Sequence, residues 1–211
     1  MTLPIVTLTP NDSGLKIGDA VPLIEPNVHD SCILADRDGT QVGLFLTELP
    51  KDLLNLVNIA DTELRTKRVP KSDMRRSSGL HDQSAEVKQY SAILGSCPPK
   101  PHMRRPYPSR SSVHGVTSAK TFCRAMSAAG LKAFEVLRAN APQVVEGHLK
   151  AIKTRVPEKW SFSNHFTSTI SNCNIAAAVH QDHANVKGAV NIIITKRRNS
   201  TGGNLHVPEF G

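Results

Sequence analysis

Apolar residues along this chain come first in short runs, then at helical spacing, then in short runs again. Ile5-Val6-Thr7-Leu8 and Val21-Pro22-Leu23-Ile24 are brief apolar stretches punctuated by Pro and Gly, the pattern of short strands. Cys32-Ile33-Leu34-Ala35 and Val42-Gly43-Leu44-Phe45-Leu46 flank Asp36-Arg37-Asp38-Gly39-Thr40. An Asp-Gly pair between two apolar runs predicts a hairpin, because glycine readily takes the positive φ that tight turns require. Leu53, Leu54, Val57 and Ile59 then predict a short helix within Pro50 to Leu64. From about Ser118 to Arg155 the spacing is clearly helical. Phe122, Ala125, Met126 and Ala129 recur at three or four residues, as do Phe134 and Leu137 and then Val144, Val145, Leu149 and Ile152. Gly130 and Asn140-Ala141-Pro142 are candidate interruptions, and Pro142 suits the first turn of a second helix. Beyond Pro157 strand signals return in Trp160 to Phe162, Phe166 to Ile170, Ala176 to Val179 and the β-branched stretch Ala189 to Thr195.

These changes of pattern divide the chain into a β-rich region over 1–64, a segment over 65–115 in which periodicity fades, and a region over 116–211 of helices followed by strands. The middle segment collects Pro, Ser and cations, as in Pro98-Pro99-Lys100-Pro101 and Arg104-Arg105-Pro106-Tyr107-Pro108. It reads as a long irregular loop or extended arm.

Charge sharpens that reading. Between Arg65 and Arg110 stand eleven Lys or Arg against three acids, so this segment alone carries the chain's net charge of +8. A basic stretch attracts polyanions, of which nucleic acid is the commonest within cells. Arg75, Arg76, Arg104 and Arg105 are the candidate phosphate contacts, and Tyr90 and Tyr107 among the cations could stack on bases. The competing expectation for the segment is a solvated linker.

With 211 residues of which 39% are hydrophobic, the chain suffices for one well-buried domain, with room for a smaller appendage. It has neither a long uninterrupted apolar window nor a basic start followed by an apolar core, so the expectation is a soluble, intracellular protein with no membrane span. Cys32, Cys97, Cys123 and Cys173 are scattered without a Cys-x-x-Cys pair, which points to reduced thiols in or near the core.

The residues with the most specific chemistry are His180 and Asp182, in Ala178-Val179-His180-Gln181-Asp182-His183. On an extended backbone, side chains two apart share a face. An imidazole and a carboxylate projected together make two thirds of a 2-His-1-carboxylate iron site. The pair is followed by the small-residue turn Ala184-Asn185-Val186-Lys187-Gly188, by the strand-like Ala189 to Thr195, and by Gly202-Gly203-Asn204-Leu205-His206-Val207-Pro208-Glu209-Phe210-Gly211.

From about Trp160 onward this arrangement resembles the first half of the double-stranded β-helix of iron(II)/2-oxoglutarate-dependent dioxygenases. The match is closest to the TET/JBP-like nucleobase hydroxylases, in which a His-x-Asp motif precedes a Gly-Gly-x-Leu strand and a Pro-Glu-aromatic-Gly turn. The resemblance implies an α+β fold with a jelly-roll core, whole or in part, and helices packed on one sheet. It implies His180 and Asp182 as ligands of Fe(II), Gly202, Gly203 and Leu205 as shape-giving positions, 2-oxoglutarate as co-substrate, and hydroxylation of the 5-methyl group of thymine or 5-methylcytosine in DNA. A base in a duplex would have to be flipped out to reach such a site, with the basic arm holding the backbone.

In that family the distal histidine and the arginine that pairs with 2-oxoglutarate follow the Pro-Glu-aromatic-Gly turn, past Gly211. Three expectations stand side by side: a longer polypeptide, an incomplete and inactive site, or completion by a partner. Among this chain's other histidines, His206 is the one weighed as third ligand. His183 is expected at the surface or behind the ligands, and His29, His81, His102, His114, His148 and His165 as polar-surface or satisfied core residues. Two further functions remain: a non-catalytic nucleic-acid-binding protein on a degenerate scaffold, and a related oxygenase acting on another substrate.

Overall fold

The computed structural model describes residues 3–10, 14–21, 25–73, 89–97, 109–163, 165–175, 177–180, 182, 185–197 and 205–207. The described residues form a mixed α+β fold of three α-helices and two small sheets, which do not close into a barrel.

The first sheet consists of β1 (Ile5–Thr7), β2 (Cys32–Ala35) and β3 (Gln41–Phe45), in that order. β1 runs parallel to β2, with Val6 opposite Leu34, and β2 and β3 form the expected antiparallel hairpin. Its turn is built by two residues. Gly39 takes φ +79°, and the Asp36 carboxylate accepts backbone N–H groups from Asp38 at 3.0 Å and Thr40 at 2.8 Å. The side chain thus closes the loop between the paired strands.

α1 (Lys51–Leu64) buries Leu53, Ala60 and Leu64 along one stripe. Its C-terminal end is capped from outside, since the Lys71 ammonium donates to the carbonyls of Leu64 at 2.7 Å and Thr66 at 2.6 Å. These are acceptors that a helix end leaves without partners.

The second sheet centres on β5 (Tyr90–Cys97). β4 (Ser72–Asp73) pairs with its first two residues, β7 (Ser168–Cys173) runs along Tyr90 to Gly95, and β6 (Ser109–Arg110) pairs with its last two residues. β5 lies within the stretch whose sequence reads as irregular loop. Its inward face is small and its flanks are polar, but Ala92 and Leu94 are buried against the helices. Gly95 permits the closest approach in this sheet. At φ +100° it sits where a Cβ would come within 2.5 Å of the Thr167 carbonyl oxygen.

α2 (Lys120–Asn140) runs unbroken through Gly130, and α3 (Pro142–Arg155) begins at Pro142 as expected. α2 is the spine of the molecule. Its first half packs Phe122 and Ala125 with Ala60, Leu64, Ala92 and Leu94. Ala129 and Ala133 meet Leu53 of α1, and Phe134 and Leu137 meet Val144 and Val145 of α3. Alanines at 125, 129 and 133 recur every four residues, a ridge low enough for α1 to come close.

After α3 the expected strand Trp160 to Phe162 is replaced by a 3₁₀ turn, Glu158–Trp160. The stretch Ala189 to Thr195 adopts a strand-like alternation without a ladder. Val190, Ile192 and Ile194 pack against the helices, Asn191, Ile193 and Thr195 face outward, and no strand among the described residues pairs with it.

Candidate metal centre

The chain reaches the His-x-Asp pair through two local devices. β7 ends at Cys173, and Asn174, at φ +55°, turns the backbone away from the sheet, a conformation asparagine tolerates better than most residues. Further on, Val179 is held to the N-terminal region by two backbone hydrogen bonds. Gly18 N–H donates to the Val179 carbonyl at 2.8 Å, and Val179 N–H donates to the Asp19 carbonyl at 2.9 Å. The Lys16–Asp19 turn that supplies this clamp is closed on itself by Lys16 N–H donating to the Asp19 carboxylate at 2.7 Å.

His180 follows the clamp directly. Its Nδ1 lies 2.8 Å from the Ala178 carbonyl oxygen. A carbonyl can only accept, so Nδ1 carries a proton and Nε2 is the nitrogen left for another partner. That nitrogen lies 3.8 Å from Asp182 Oδ1, and both side chains are well exposed, at 59% and 62%. The residues belong to no regular strand, but the two-residue spacing brings the side chains together.

Across 3.8 Å a protonated ring pairs with the carboxylate as an ion pair, and an unprotonated Nε2 joins it as a second electron-pair donor for a cation. Ligands about 2.1 Å from one ion lie roughly 3 Å apart when adjacent and about 4.2 Å apart when opposite. The observed gap falls between these limits. A backbone carbonyl fixing the tautomer of a ligating histidine is also the usual support behind such a ligand. His180 and Asp182 thus set two donor types of an iron site side by side, at a separation wider than the roughly 3 Å of adjacent ligands.

The other candidate residues are placed as follows. His206 is half-buried, its Nε2 shielded from solvent and without a hydrogen-bond partner among the described residues. No group of three or more His, Cys, Asp or Glu with metal-binding geometry occurs among the described residues. His183, Gly202 and Gly203 lie outside the described residues, as do Arg75, Arg76, Arg104 and Arg105. Leu205 is exposed. Of the other basic residues in the middle segment, Arg65 pairs with Asp61 at 3.0 Å and Arg68 with Glu63 at 2.7 Å. These cations serve the end of α1.

His148 takes the second of the two places expected for it, that of a satisfied core histidine. His148 is 1% exposed, deep between α2 and α3, where Phe134 and Phe166 surround it. Its helical spacing from Val144 and Val145 was the available signal, since it places the ring on the buried stripe.

A scan of the chain against protein-family models finds no match, and searches of curated proteins and of solved structures likewise return none. No helix among the described residues is long and apolar enough to cross a membrane.

Proposed function

We propose that this chain carries the first two iron ligands of an iron(II)/2-oxoglutarate-dependent hydroxylase of the TET/JBP-like kind, built on a double-stranded β-helix and acting on the 5-methyl group of a DNA base. The observation that carries the reading is the His180–Asp182 pair: Nδ1 is engaged by the Ala178 carbonyl, and Nε2 lies 3.8 Å from a carboxylate oxygen, in the open. Bound there, iron(II) with 2-oxoglutarate and dioxygen would supply the oxidising chemistry. The chain's own part is to hold the donors. The Gly18–Asp19 clamp on Val179 fixes the backbone before His180, and the Ala178 carbonyl fixes the imidazole's tautomer. Exposure of both side chains leaves room for co-substrate and for a base flipped out of its duplex. The net charge of +8 agrees in sign with a DNA substrate.

The test is anaerobic titration of the protein with iron(II) and 2-oxoglutarate, following the weak visible charge-transfer band of the chelate. The band is expected with the native protein and absent from His180→Ala and Asp182→Ala, with the far-ultraviolet dichroism of both variants unchanged. A band that persists in both variants places the metal elsewhere, and no band with the native protein rejects the iron reading.

A further inference from the structure

The segment 186–194, which follows the His-x-Asp pair, is fastened to α3 at two polar points, Arg155 to the Lys187 carbonyl and a bond to His148. Val190 N–H donates to His148 Nδ1 at 3.1 Å, while His148 Nε2 lies 2.8 Å from the His165 carbonyl oxygen. A backbone N–H can only donate and a carbonyl can only accept, so the ring is neutral, with its single proton on Nε2. One imidazole thereby joins three parts of the chain: α3, the 161–166 turn and the 186–194 segment.

We infer that His148 is a pH-sensitive latch: a second proton on its ring breaks the bond to Val190 and loosens the 186–194 segment from α2 and α3. Protonated Nδ1 becomes a donor facing another donor, and the resulting imidazolium would sit in an apolar pocket.

Among the described residues the acceptor offered to that charge is the His165 carbonyl, which burial outweighs. From α2, Arg138 lies over the Phe134 ring at 5.2 Å. From the 161–166 turn, His165 stacks on Phe134 with ring centroids 4.0 Å apart. From the segment itself the ionisable group is Lys187, whose carbonyl accepts from Arg155 of α3. β3 brings Leu44 to this core. The charged neighbours are thus cationic. Burial holds the His148 imidazole below its ordinary range, and burial, with Arg138 and His148 as neighbours, does the same for His165. The sign follows. A histidine whose folded value is depressed stabilises the closed form above the ordinary range, and that stability drains away as pH falls toward the folded value. The remaining ties are apolar contacts of Val190, Ile192 and Ile194, the Arg155 bond to the Lys187 carbonyl and the Lys196–Asp61 pair at 3.0 Å, and none of them runs through an imidazole. The inference needs no metal at His180 and Asp182, so it stands or falls separately from the proposed function.

Hydrogen exchange resolved to single amides, corrected for intrinsic pH dependence, tests the latch in the native protein between pH 7 and pH 5. Opening of the Val190 amide is expected to rise by up to about tenfold per pH unit below about 6.5 while α2 and α3 stay protected. His165→Phe should keep this slope, because the carbonyl that meets His148 remains. His148→Phe should open the segment at every pH and abolish the slope. Nitrogen-15 spectra of the native histidines give a check that depends on no variant: His148 must show a proton on Nε2 alone at pH 7. A proton on Nδ1, Val190 protection that follows the helices at all pH values, or a slope that vanishes in His165→Phe overturns the latch.

Discussion

Gly95 shows how much one side-chain hydrogen can decide. At φ +100°, an added Cβ would stand 2.5 Å from the Thr167 carbonyl oxygen, 2.8 Å from Ser168 Cα and 3.1 Å from Phe162 Cβ. The first two are backbone atoms of the strand paired with β5, so the sheet itself must shift. Gly39, at φ +79°, has open space around it. Gly39→Ala therefore isolates the conformational cost, about 1 kcal/mol. Gly95→Ala adds the clash and should cost roughly 2–4 kcal/mol. Urea unfolding midpoints measure both, and equal losses would mean that β5 and β7 yield easily. His180 makes the same point about chemistry. The pattern His-x-Asp could be read directly, but the Ala178 carbonyl that sets its tautomer depends on a backbone conformation that no residue type announces.

At the scale of elements, helix ends carry energy that propensity does not record. Lys71 lies seven residues beyond Leu64 and still caps α1. Lys71→Met keeps much of the aliphatic stem but strands two carbonyls, and should cost about 1–2 kcal/mol in thermal or urea unfolding. Lys67→Met, at an exposed neighbour, should stay within about 0.5 kcal/mol. A loss shared equally would remove the cap from the account. The elements legible from sequence are those encoded locally. The hairpin announces itself through Asp36 and Gly39, and the α2–α3 boundary through Pro142. β5 was hidden because its buried residues are as small as Ala92, and its partners Ser72 and Ile170 are far away in sequence. The reverse holds for Ala189 to Thr195. β-branching makes that stretch extended and puts Val190, Ile192 and Ile194 inward, but pairing is a tertiary event, and the helices rather than a strand receive it.

For the whole molecule, the net charge of +8 matters by where it is free. Arg65 and Arg68 face acids on α1 at 3.0 Å and 2.7 Å, so their charge is partly neutralised at home. The proposed DNA contact assigns phosphates to Arg104 and Arg105, which lie outside the described residues. Each phosphate contact releases counterions, which gives the logarithm of affinity a slope of about −0.9 per contact against the logarithm of salt concentration. Replacing Arg104 and Arg105 together by Ala should flatten that slope by nearly two and weaken binding to all sequences alike. Replacing Arg65 and Arg68 should flatten it less. Fluorescence anisotropy of a labelled duplex across a salt series reads both double variants on one scale. An unchanged slope for the Arg104 and Arg105 pair, with affinity intact, would make the basic arm a spacer and move DNA contact, if it occurs, to another face of the protein.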